Sequence, residues 1–350
     1  QYRQINLKTK VMKTVCTVGI DISSQWLDVA LVVDPSAKPL SLFRVKNSQE
    51  GIESMFKRLK KEVPAGSPPW FCMEHTGNYG LLLCCLLQEK GMTYSVIPAR
   101  EIQQSLGVTR GKSDRTDAER IGVYALIHHH KLRPFVIPQK SILQLKELIS
   151  YRASLVQQHT QNVNSLKSRS KLNIVIDNHL VTEDLEQHIQ RLEKSIKAVN
   201  EAIEKVIASD PELKQNFDLI QSVKGIGLIA ATMMLVITQN FTQFDDGRKF
   251  ACYAGTAPFE HSSGLTKGRT RVHPMANKQM KAILLNGANS AMIYDPEIRV
   301  YCQRKKAEGK HHKVIANAVA CKLINRVFAV IKRKTPFVLT YEKKINQNVA

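Results

Sequence analysis

Along the first third of the chain, short apolar runs alternate with amphipathic stretches. Residues 15–21, 26–33 and 40–45 are brief, apolar and rich in β-branched side chains, which predicts three consecutive strands with short connections. A helical pattern covers 49–63, followed by a strand over 70–74 and a helix over 79–90. A strand over 94–97 comes next, then a helix entered through Ser113 and running toward His128. Three strands, then helix, strand, helix, strand, helix is the ribonuclease H-like order, an α/β arrangement whose first strand is central in a mixed sheet.

The middle is helical. Leu185, Ile189, Leu192, Ile196, Val199, Ile203 and Val206 alternate spacings of four and three, an a/d seam of about three heptads. Residues 142–166 are also amphipathic, so the pattern predicts an antiparallel helical hairpin. Such a seam serves packing within one chain or dimerisation, and periodicity leaves both open. Ser209-Asp210-Pro211 ends it. In the last third, Lys224, Gly225 and Gly227 form a Gly-x-Gly turn leading into an alanine-rich helix. That turn resembles a helix-hairpin-helix unit, whose exposed N–H groups hold a phosphate; the alternative is a turn needed for close helix packing.

Charge changes the picture most. The 350 residues hold 51 Lys plus Arg against 30 Asp plus Glu, a net +21 with pI near 9.7. Between Ser262 and Lys334 there are sixteen cations and three acids, so +13 of that excess lies in 73 residues. Such a field selects polyanions, nucleic acid first and an anionic membrane surface second. No apolar run reaches the ~18 residues of a spanning helix and no signal pattern opens the chain, so a cytoplasmic, nucleoid-associated protein without a membrane partner is expected. The seven cysteines are scattered, odd in number and without C-x-x-C, which predicts buried thiols rather than disulfides or zinc ligands.

Two constellations carry chemistry. Asp21 ends the apolar strand Val18-Gly19-Ile20, and Glu74 ends Phe71-Cys72-Met73. In the ribonuclease H-like order these strands are parallel neighbours, so both acids emerge at one edge. Asp114 and Asp117 share one face of the first turn of the next long helix. Helix starts tolerate acids as caps. Four converging acids, however, repel one another unless cations neutralise them, and all-oxygen donor sets suit Mg²⁺ or Mn²⁺. A pair of such ions supports in-line phosphodiester displacement. The second constellation runs from His261 to Arg271: Ser262-Ser263-Gly264, then Lys267, Arg269 and Arg271. From the residues alone it reads as a basic DNA-contacting loop with serines as turn formers. A Walker-like stretch at 107–113 has the wrong glycine spacing for nucleotide, and the histidines at 128–130 read as a solvated helix end.

Taken together these blocks resemble a known family. Gly19-Ile20-Asp21, Met73-Glu74-His75-Thr76-Gly77 with Tyr79, and Lys112 through Ala118 resemble the three blocks of DEDD transposases of the bacterial insertion-sequence family "one-ten", which includes Piv-type DNA invertases. Val223 to Gly227, Phe250 to Pro258 and Ser262 to Arg271 match in order in the second half. The resemblance implies a RuvC-like catalytic domain over 14–135, a coiled-coil or dimerisation region over 139–212, and a mainly helical transposase domain over 216–340. It implies Mg²⁺ or Mn²⁺ on Asp21, Glu74, Asp114 and Asp117. The loop serine before glycine, Ser263 with Ser262 as its neighbour, is implied as a nucleophile that links transiently to a DNA end. Lys224, Gly225, Gly227, Lys267, Arg269, Arg271 and Lys278 are the expected nucleic-acid contacts. The implied partners are donor and target DNA, a structured guide ("bridge") RNA, and further copies of the chain in a homodimer or tetramer. The rival readings are a Holliday-junction-type nuclease using water, and a non-catalytic nucleic-acid-binding protein.

Overall fold

The computed structural model describes residues 15–338 apart from 76, 106–113, 170–171, 173–174, 177–178, 258–261, 264–265, 268–271 and 273–274. The chain forms two compact units that divide between Ile137 and Pro138. The first unit contains β1 (Thr17–Ile22), β2 (Trp26–Val32), β3 (Ser41–Lys46), α1 (Gln49–Glu62), β4 (Trp70–Glu74), α2 (Leu81–Glu89), β5 (Tyr94–Ile97), α3 (Ala99–Ser105) and α4 (Asp114–Ile127). The sheet order is β3-β2-β1-β4-β5. The first three strands pair antiparallel, whereas β1, β4 and β5 run parallel. This is the ribonuclease H-like topology that the element order predicts. The seven-residue helix α3 was not expected; it occupies what the pattern shows only as a connection after β5.

Alternation along β1 and β4 sorts their residues onto two faces. Val18, Ile20, Phe71 and Met73 face α1 and α2, packing with Ile52, Met55, Leu83 and Leu87. Cys72, Ala30 and Val32 lie on the other face, against Ala118, Ile121 and Ala125 of α4. That second face is unusually close-packed. A Cβ on Gly19 would stand 2.2 Å from both Ala118 O and Gly122 N, and one on Gly122 would stand 2.7 Å from Val32 Cγ2. Thr17 Oγ1 donates to Gly122 O at 2.8 Å. All seven cysteines are free thiols, and burial pushes the Cys72 thiol up and the Cys84 thiol to about 11.

The second unit contains α5 (Lys140–Arg169), α6 (His179–Ala208), α7 (Pro211–Gln221), α8 (Leu228–Thr238), α9 (Gly247–Tyr253), the short strands β6 (Ser262–Ser263) and β7 (Thr266–Lys267), α10 (Lys278–Tyr294), α11 (Pro296–Ala307) and α12 (His312–Arg333). The helices α5 and α6 form an antiparallel hairpin, with Arg152 Nε donating to Asn200 Oδ1 at 2.7 Å and His159 3.3 Å from Glu193. Val199 and Ile203 of the heptad seam are core residues, with Leu192, Ile196 and Val206 packed at its margin. The Ser-Asp-Pro break becomes a cap: Asp210 accepts from the N–H groups of Glu212 and Leu213, and Pro211 opens α7.

One sequence expectation is corrected by α12. This helix is long and apolar enough, by length and composition, to cross a membrane, with mean hydropathy 1.7 over its best window. Its Ile315, Val319, Leu323, Ile324, Val327 and Val330 are buried in the core of the second unit, so its apolar side has a packing role. Lys322 and Arg326, inside the helix, interrupt the apolar run.

Introducing a methyl at the α4–β1 contact forces backbone apart, because no flexible side chain is there to yield. Gly19→Ala is expected to lose about 3 kcal/mol or more of unfolding free energy, the upper range of overpacking costs, measured by urea denaturation.

Candidate active site

The apolar residues of β1 and β4 hold the two strands in register and leave an acid at the end of each. Ile20 pairs with Met73, so Asp21 and Glu74 occupy the next positions on adjacent parallel strands. Both are half-buried. Period-two alternation puts Asp21 on the face of Thr17 and Gly19, and Glu74 on the face of Cys72, which is the face that α4 covers. Helix α4 runs opposite to β1: Gly122 meets Thr17, and Ala118 meets Gly19. One helical turn covers about 5.4 Å and two strand residues about 6.7 Å, so the first turn of α4 points toward the Asp21 end. Asp114 opens that turn, its side chain lying outside the described residues, and Asp117 is half-buried with Oδ1 accepting from Arg120 at 2.9 Å.

The sheet adds residues that sequence reasoning missed. Asp28 of β2 stands directly opposite Asp21, and Arg44 of β3 stands directly opposite Asp28. Asp28 is buried, and Arg44 grips it with Nε at 3.0 and 3.1 Å and a terminal nitrogen at 2.7 Å. A charged row therefore crosses four strands at one level: Arg44, Asp28, Asp21, Glu74. The signal for it was available, since a hairpin folding back through residues 23–26 brings Asp28 opposite Asp21.

Carboxylates directly opposite one another destabilise a sheet unless a cation intervenes. Arg44 answers Asp28, and the remaining donors, Asp21, Glu74 and Asp117, are all hard oxygen ligands of the kind that Mg²⁺ and Mn²⁺ accept. The residues therefore fit a divalent ion chemically. Among the described residues, which leave out the Asp114 side chain, no group of three or more His, Cys, Asp or Glu is arranged to hold a metal, at this edge or at 128–130. Residues 129–131 form a 3-10 turn, and the His128 ring lies 4.7 Å from that of Tyr124. The Walker-like stretch at 107–113 lies outside the described residues.

In the second unit, β6 and β7 pair as a hairpin, Ser262 opposite Lys267 and Ser263 opposite Thr266. Ser263 is thus the last residue of its strand. The segment carrying this hairpin is strapped at its base. Gly255, at φ 67°, approaches Ala276 so closely that a Cβ would stand 2.6 Å from it. Asn277 N–H donates to Tyr253 O at 2.8 Å, and Thr256 O accepts from Cys321 at 3.2 Å and from Asn317. Lys224 and Lys278 are exposed, whereas the side chain of Lys267, and Arg269 and Arg271 entirely, lie outside the described residues. Gly225 has φ 95°, and a Cβ there would stand 2.6 Å from Gly287 O, so its close-packing reading is satisfied. Gly227 faces open space at the start of α8.

Comparison with known proteins agrees with both halves. Residues 18–172 match a family model described as a transposase of the DEDD IS110 type, and residues 217–303 match one described as the transposase IS116/IS110/IS902 family. The chain belongs to this transposase family. The pilin gene-inverting protein of Moraxella lacunata is 24% identical to it over 338 residues, covering 94% of this chain and 98% of that protein. An uncharacterized 43.6 kDa protein of insertion element IS110 from Streptomyces coelicolor is 30% identical over 157 residues, covering 44% of this chain and 39% of that protein. Among solved structures, T. thermophilus RuvC in complex with a Holliday junction substrate matches at 16% identity and TM-score 0.27, covering 35% of this chain and 99% of RuvC. As a family member the chain is a transposase or recombinase of insertion elements.

Two substitutions test these supports. Arg44→Ala leaves the buried Asp28 carboxylate without its cation and is expected to cost about 3 kcal/mol, read from denaturant unfolding; Asp28→Asn in the same chain should recover part of it. Gly255→Ala is expected to loosen the strap and speed tryptic cleavage at Lys267 and Arg269 severalfold, read by limited proteolysis.

Proposed function

We propose that the chain cuts and rejoins DNA strands of a mobile element by transesterification, with Ser263 as nucleophile and Asp21, Glu74, Asp114 and Asp117 as holders of divalent cations. The observation that carries this reading is the placement of Asp21 and Glu74 at adjacent ends of parallel strands, on the face that α4 covers. Mg²⁺ or Mn²⁺ bound by those acids supplies charge neutralisation for the phosphoryl centre and a lowered pKa for the attacking hydroxyl.

In this reading the Ser263 oxygen bonds to phosphorus as the bond from phosphorus to a deoxyribose oxygen breaks. The hydroxyl proton leaves to solvent or a carboxylate, and the departing sugar oxygen is protonated. The phosphoserine ester conserves the bond energy, so a DNA hydroxyl reverses the step on a new strand without external energy. Lys267, Arg269 and Arg271 hold the phosphate oxygens, and Lys224, Gly225, Gly227 and Lys278 contact the backbone. The +13 segment from 262 to 334 suits two polyanionic partners, DNA and a structured guide RNA. The outer part of the α5–α6 seam, where Leu185 and Ile189 remain only half-buried, suits pairing with a second copy.

Ser263→Ala and Asp21→Ala are each expected to abolish recombination of a reporter plasmid while nucleic-acid binding persists. Denaturing gels of wild-type reactions should show a protein–DNA adduct that Ser263→Ala lacks. Normal recombination by Ser263→Ala would end the covalent-serine reading, and cleavage without any adduct would favour water as nucleophile.

A further inference from the structure

The edge that carries the acids also carries exposed aromatic surface. Tyr79 lies in a 3-10 turn (Gly77–Gly80) just past Glu74 and is 57% exposed. Trp26 closes the hairpin turn just past Asp21 and is 38% exposed. Leu81 and Leu82, which begin α2, are similarly exposed. Large apolar groups gathered beside charged ones at one edge mark a contact surface rather than a packing remnant.

These two turns are fastened to each other. Asn47, one residue past β3, donates from Nδ2 to Ser23 O at 3.0 Å and to Tyr79 O at 3.1 Å. Its own N–H donates to Gln25 O at 2.8 Å. Ser23 and Trp26 close their turn with bonds of 2.9 and 3.0 Å through the serine hydroxyl. A single asparagine thus couples the turn after one acid to the turn after the other, and it holds both aromatic residues on short, bonded segments. A rigid aromatic face loses little freedom on binding.

We propose that Tyr79, with Trp26 on the coupled turn, is a stacking platform for an unpaired nucleobase of the DNA strand whose phosphodiester is presented to the carboxylates. This rests on the strand-transfer reading above. In that reading the carboxylates and their cations engage only the phosphodiester, so the nucleoside beside it needs an uncharged attraction at that edge. Base–aromatic stacking supplies one, worth roughly 1–3 kcal/mol per base and tolerant of sequence. A base inside a duplex has no free face, so the platform selects unstacked DNA near the reacting bond.

The test uses the full chain and a short thymidine oligonucleotide carrying 5-iodouracil, photo-crosslinked and mapped by mass spectrometry. The expected result is a crosslink on Tyr79 or Trp26 whose yield falls at least about fivefold in Tyr79→Ala, the low end of that stacking range. Tyr79→Phe, which keeps the ring, should retain it. Asp21→Asn should also retain it while losing strand transfer, which separates failure of the platform from failure of the carboxylate chemistry. Crosslinks confined to residues 216–340, an unchanged yield in Tyr79→Ala, or equal competition by duplex DNA would each overturn the proposal.

Discussion

The contact between α4 and β1 is backbone on backbone. Gly19 and Gly122 have no side chains, so the helix lies against the sheet at a distance where a single Cβ would overlap Ala118 O or Val32. Two consequences follow from that one approach. The helix is locked along the strand, because a shift by one residue brings a side chain into the gap. Its first turn is also carried to the strand end where Asp21 and Glu74 sit.

The sheet supplies a second constraint, in charge rather than shape. Arg44, Asp28 and Asp21 face one another across β3, β2 and β1, with Glu74 beside them on β4. A buried Asp28 without Arg44 would be a carboxylate stripped of its cation beside Asp21. Arg44 holds Asp28 in place directly opposite Asp21. The serine hairpin of the second unit is positioned by different means: its segment departs and returns at one point, strapped by Gly255 against Ala276 and by Asn277 on Tyr253.

Much of this was legible beforehand. The strands of the first unit, the hairpin of α5 and α6 and the break at Ser209-Asp210-Pro211 all follow from periodicity and local turn chemistry, which act over a few residues. The short helix α3 was missed because seven residues contain too few turns for a periodic signal. The apolar stretch 314–331 is visible in the sequence, interrupted by Lys322 and Arg326, and eight residues of one side of α12 are buried. The Gly-x-Gly pattern at Gly225 suits phosphate contact or close packing, and the approach to Gly287 O meets the packing need.

By itself the sequence determined the order and type of the elements, the placing of Asp21 and Glu74 at strand ends, and the concentration of charge in the second half. These depend on side-chain period and composition, which a linear chain displays directly. Only the tertiary structure decided that Asp28 and Arg44 join the acidic row, that Asn47 couples the turns bearing Trp26 and Tyr79, and that two glycines set the depth of α4. Each of those is a contact between segments distant along the chain, created by strand register and by how nearly two backbones can approach. No local pattern encodes such distances.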